Sequence, residues 1–136
     1  MSDMKTLEFK FERTIPAAAD KVFEAWLDPK VPGNHWNAAE ELVLRPQVGE
    51  LFFWSVRGTS HYGRFTEVEK PGKIKHTWVS PNTLGLESVV TVTFEKKGAG
   101  TLLTLIHSGL PDDEKAKSHQ KGWNYFFDLF EGNFRG

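Results

Sequence analysis

The chain contains no cysteine, which excludes a disulfide framework, a thiolate nucleophile and any cysteine-based metal site. An excess of either sign of charge is also missing, since 17 lysines and arginines face 18 acidic residues for a net charge of -1. Lys70, Lys73 and Lys75, and the pair Lys96-Lys97, cluster at predicted turns and read as solvated hairpin ends rather than a phosphate-binding stripe. Nucleic acid is therefore not an expected partner. No apolar run approaches the roughly 20 residues a membrane helix needs, and residues 1–6 lack the apolar core of a signal peptide. The expectation is a cytoplasmic protein without membrane insertion. A nucleophile elbow, a phosphate-cradling glycine loop and a dinucleotide fingerprint are absent too. Gly98-Ala99-Gly100 precedes a strand rather than a helix, so it is a turn.

What the chain has in excess is aromatic: five Trp and eleven Phe among 136 residues. Large aromatics fill cores, and they also wall apolar pockets. The length fits one domain, residues 1–136, able to bury ~70% of the surface its unfolded form exposes.

Periodicity gives the order of elements. Residues 7–13 alternate apolar and charged side chains as a half-buried strand does, and Pro16 stops it. Residues 17–27 place Ala18, Val22, Phe23 and Trp26 at helical spacing, and Asp28-Pro29 ends that helix. A second short helix or turn is expected over residues 31–36. Strands follow at 41–45, 51–56, 60–68, 74–79, 87–96 and 101–107, separated by Pro/Gly-rich turns. A long final helix starts near Asp112, with Asp113 and Glu114 at the positive end of its dipole. Consecutive hairpins make an antiparallel sheet, and only the last helix is long enough to cover its apolar face.

Alternation by two puts Ser88, Val90, Val92 and Phe94 on one strand face, and Leu103, Leu105 and His107 on one face of its partner. Ile74, His76 and Trp78 form a third inward set. On the helix, Ala116, His119, Trp123, Phe126, Phe127 and Phe130 share about a third of the circumference. His107 and His119 should therefore look at each other. A histidine on an apolar face is usually a hydrogen-bonded core residue, and two histidines fall short of the three or four ligands zinc needs. No metal or cofactor is expected. The aromatic stripe is either packed core or pocket wall. Tyr125 and Leu129 project opposite the Trp123 face and call for cover from the first helices or a second subunit.

These residues, in this order, resemble a known family. Residues 13–29 (RTIPAAADKVFEAWLDP), Trp36, Tyr62-Gly63 with the following RFTEV, Lys75-His76-Thr77-Trp78, residues 88–95 (SVVTVTFE), residues 105–111 (LIHSGLP) and His119 to Trp123 carry the likeness. The chain resembles the SRPBCC (START-like, birch-pollen-allergen-like) superfamily, in the branch named for the activator of heat-shock-protein-90 ATPase. The resemblance implies an α+β helix-grip: a curved antiparallel sheet of six to seven strands wrapped around a long C-terminal helix, with two short helices after the first strand. It also implies a hydrophobic cavity, here lined by Trp78, Ser88, Val90, Val92, Leu105, His107, His119, Trp123, Phe126 and Phe127. The family's last helix usually carries a mixed polar and leucine pattern, whereas this one has Tyr125-Phe126-Phe127 and Phe130 and ends soon after, at residue 136. Those rings either wall the cavity or plug it.

Three functions follow from this reading. The first is stress-related binding of a small apolar or aromatic ligand, without catalysis. The second is a chaperone-interaction module regulating an ATPase. The third is a cyclase- or hydrolase-type enzyme using His107 and His119 as acid and base. A homodimer is the further expectation raised by Tyr125 and Leu129.

Overall fold

The computed structural model describes residues 6–134. The stretch read for a signal peptide lies, save its last residue, outside the described residues, as does the end of the chain beyond Phe134. Strand β1 (Thr6–Ile15) leads into helix α1 (Ala19–Leu27) and a 3-10 turn (His35–Ala38). Strands β2 (Glu41–Val43), β3 (Leu51–Val56), β4 (Thr59–Glu69) and β5 (Lys73–Trp78) follow. After a second 3-10 turn (Pro81–Thr83) come β6 (Ser88–Lys97), β7 (Gly100–Pro111) and helix α2 (Glu114–Gly132). All seven strands form one antiparallel sheet in the order β1-β7-β6-β5-β4-β3-β2, as the helix-grip reading requires. No helix among the described residues is long and apolar enough to cross a membrane.

Each element forms for a local reason. In β6 and β7, burial alternates residue by residue, which leaves Val90, Val92, Phe94, Leu103 and Leu105 inside. Helix α2 opens on Asp113, whose carboxylate accepts the Lys115 N–H at 2.9 Å. Arg13 of β1 ties the other end of that helix to the sheet, 3.0 Å from Asp128 and 3.5 Å from Glu131. Between them lies a packed aromatic core. Phe127 and Phe130 meet Trp26 edge-on at 5.7 and 5.3 Å, and Phe11 reaches Phe127 at 6.0 Å.

Three expectations need correction. Strand β7 does not end at His107 but runs on to Pro111, because Leu110 and Pro111 pair with Leu7 and Thr6 of β1. A register shift between Leu7 and Phe9, facing Gly109 at φ +73°, absorbs the irregularity that the sequence signals as a turn. Ala18 is exposed as the N-cap of α1 rather than part of its inner face. The second short helix is a single 3-10 turn, displaced to His35–Ala38.

That turn is firmly placed. Asn34 Nδ2 lies 2.7, 3.1 and 2.8 Å from the carbonyls of Ala25, Trp26 and Asp28, so its two hydrogens serve the acceptors left open at the end of α1. Gly33, at φ +88°, lies so close to the α2 backbone at Leu129 that a Cβ would come within 2.6 Å of it. Clamped to both helices, the segment carries His35 and Trp36 into the upper end of the grip.

Candidate functional site

The upper end of the grip is not solid. A half-open cleft of about 290 Å³ lies between α2 and the β3–β5 end of the sheet. Its walls are Trp54, Trp78, Trp123 and Phe126, with His61 and His119 beside them. Val56, Arg57, Thr59, Asn82, Ser118 and Gly122 complete the lining. A second groove of about 380 Å³ adjoins it and shares Val56, Arg57 and Phe126.

Of the residues expected to line a cavity, the structure brings Trp78, His119, Trp123 and Phe126 to this cleft. Ser88, Val90, Val92, Leu105, His107 and Phe127 are all buried in the packed interior below and behind it. The cleft also draws on residues the sequence reading passed over. Trp54 and His61 are paired across the β3–β4 hairpin, and Arg57 with Gly58 forms its tip. A two-residue hairpin turn fixes that register, so counting back from Arg57-Gly58 would have set Trp54 opposite His61.

The polar chemistry of the site is governed by indole N–H groups. Trp78 Nε1–H donates to His119 Nε2 at 3.2 Å, while His119 Nδ1 is 2.8 Å from the Ala116 carbonyl. A carbonyl only accepts, so His119 carries its proton on Nδ1. Trp123 Nε1–H donates to His107 Nδ1 at 3.0 Å. His107 Nε2 lies 2.8 Å from Ser88 Oγ, whose hydroxyl donates to the Trp78 carbonyl at 2.7 Å. His107 therefore carries its proton on Nε2. The two rings, 4.8 Å apart, are held in opposite neutral tautomers.

Each ring thus has its only lone-pair nitrogen occupied by an indole N–H. Neither can accept a proton without losing that bond, so the pair is poorly built for acid–base turnover. Burial pushes both below the usual histidine range, and for His107 the neighbouring His119 adds to the effect. His61 and His76 are each lowered to about 4, again chiefly by burial. The third cleft tryptophan is likewise engaged, Trp54 Nε1–H donating to the His35 carbonyl at 2.8 Å. With all three indole donors turned inward, the cleft walls offer a ligand only ring faces and edges.

Behind those walls sits His35, 1% exposed, with both ring nitrogens unpartnered among the described residues, as is Trp36 Nε1. Its ring centroid lies within 4.1 to 6.2 Å of all five tryptophans. Burial, then repulsion from His76 and His61, holds its pKa well below the ordinary value.

Known proteins of the same shape are numerous. Protein MLL2253 from Mesorhizobium loti superposes with a TM-score of 0.79 at 27% identity, covering 93% of this chain and 96% of its own. CalU16 from Micromonospora echinospora gives 0.71 at 26% identity, covering 93% of this chain and 74% of its own. PFC0360w, described as an HSP90 activator from Plasmodium falciparum, gives 0.74 at 24% identity over 93% and 92% of the two chains. Comparison with the curated proteins gives no match. The family described as Activator of Hsp90 ATPase homolog 1-like protein matches residues 16–135, nearly the whole chain. The seven-stranded grip, its long closing helix and this match together establish that the chain belongs to that family.

Proposed function

We infer that the chain is a binding protein for a small apolar or aromatic ligand, held in the cleft between Trp54, Trp78, Trp123 and Phe126. The observation that carries this is the open space at Gly122. Glycine inside a helix costs about 1 kcal/mol relative to alanine. A Cβ at Gly122 would meet nothing within 4 Å, so tight packing does not require glycine there. Gly122 is exposed and belongs to the lining of the cleft. The volume, about 290 Å³, lies at the lower end of the range for small-molecule sites and suits one or two fused rings.

The test pairs a ligand screen with a plugged cleft. Thermal shift against a library of small aromatics should yield stabilising hits, by about 2.7 kcal/mol at 100 times the dissociation constant. Gly122→Leu should fold at least as stably and lose those hits, because its side chain occupies the site. Hits that survive the plug would place binding elsewhere and overturn the assignment.

A second reading, regulation of a chaperone ATPase in a cytoplasmic stress response, draws support from the family's description and from the Plasmodium relative. It calls for stimulation of a purified heat-shock-protein-90 ATPase by this chain. A rate unchanged at saturating chain would count against it.

A further inference from the structure

An aromatic box with its N–H donors turned away would, by itself, favour a cation over its ring faces. The charge at its mouth argues the opposite. Of the residues lining the cleft only Arg57 carries a permanent charge, since His61 and His119 are held neutral by burial. Arg57 makes no ion pair among the described residues, unlike Arg13. Its backbone is also costly. Arg57 and Gly58 have φ of 51° and 75°, the two positive values of a hairpin turn that asparagine, aspartate or glycine occupies with less strain. A side chain with a long cationic reach stands where a short one would fold better, and it lines both the cleft and the adjoining groove. Glu40, whose carboxylate accepts the Gly58 N–H at 3.2 Å, shares the adjoining groove with Arg57 but does not line the cleft.

We propose that the cleft selects aromatic anions, seating the ring system between the tryptophans and Phe126 and pairing its carboxylate with the Arg57 guanidinium. The planar fork of an arginine matches a carboxylate through two parallel hydrogen bonds, and Asn82 and Thr59 add polar side chains to the lining. The same guanidinium repels a quaternary ammonium ligand that the box would otherwise attract. This inference rests on the aromatic-cleft reading above and adds to it the sign of the ligand's charge.

Calorimetric titration of the full chain with three probes of one shape tests it: naphthoate, naphthylmethanol and naphthylmethyl-trimethylammonium. At low salt, naphthoate should bind about tenfold to hundredfold more tightly than the alcohol, with the ammonium weakest. Raising the salt should narrow that gap, because the pair is partly exposed. Arg57→Asn relieves the turn and should melt no lower than the parent chain, while its naphthoate-to-alcohol ratio falls to within about twofold of unity. Equal binding of acid and alcohol, tighter binding of the ammonium, or an undiminished ratio in Arg57→Asn would each overturn the proposal while leaving the aromatic cleft standing. If no naphthyl probe binds, the cleft reading and the charge preference fall together.

Discussion

Five histidines, all buried, make this chain sensitive to acid in a definable direction. Their folded pKa values lie below the unfolded 6.5, so the folded state binds fewer protons than the unfolded one. The stability they contribute is present in full above pH 6.5 and is lost as pH falls through that value toward about 4, the folded value of His61 and His76. For His76 alone the loss amounts to about 2 kcal/mol at pH 5. Urea midpoints at pH 7.5 and pH 5 should therefore separate clearly, the acid one lower; identical midpoints would contradict the burial argument. The tautomers are open to a sharper check. Long-range proton–nitrogen correlation spectra should show His107 protonated on Nε2 and His119 on Nδ1, and matching tautomers would mean the indole donors are misplaced. That these two rings face each other was legible from strand and helix periodicity. Their tautomers were not, because these depend on donors from Trp78 and Trp123 that periodicity places on a face but does not aim. His35 was harder still, lying in a Pro-Gly segment without a period, where the Asn34 clamp, the close packing of Gly33 on α2 and the Trp54 indole donor fix its position.

One chemical change applied to two elements should give opposite results. In α2, Gly122→Ala adds a methyl group into open space and should stabilise by about 0.5–1 kcal/mol through helix propensity. In β4, Gly63→Ala would drive a Cβ to within 2.0 Å of the Thr77 carbonyl and against the Phe52 ring. Backbone cannot retreat cheaply, so a loss of about 1–3 kcal/mol or more is expected. Thermal melts of the two variants beside the parent decide both signs. The strands themselves were readable because turn residues punctuate them: β3 spans Leu51–Val56, the same six residues that alternation and Arg57-Gly58 indicate. The misreading of β7 has the same root. Gly109-Leu110-Pro111 reads as a turn, yet pairing with β1 lies far off in sequence and carries the strand through it to Pro111.

Taken whole, the molecule has an aromatic core packed about Trp26 and a half-open cleft between α2 and the β3–β5 end of the sheet. Sequence periodicity identifies which residues face inward, but not how far along the grip each one sits. That distinction separates Phe127 and Phe130, packed on Trp26, from Phe126, which stands half-buried at the cleft. On the outside, Tyr125 and Leu129 are 57% and 44% exposed, and α1 does not cover them. If they form a contact between two copies, light scattering of the purified chain should return twice the monomer mass, and Tyr125→Glu should restore one. A single-chain mass for the parent protein would dismiss that dimer.

The gathering of all five indoles around the His35 ring has an optical consequence. Excitation absorbed by any one of them can migrate to its neighbours across separations of a few ångströms before light is emitted. The chain should then fluoresce as one collective chromophore, blue-shifted by its dry surroundings, instead of five independent ones. A single quencher lodged against Trp54 or Trp123 would darken the whole protein, so occupancy of the cleft should be readable from the native chain without a label.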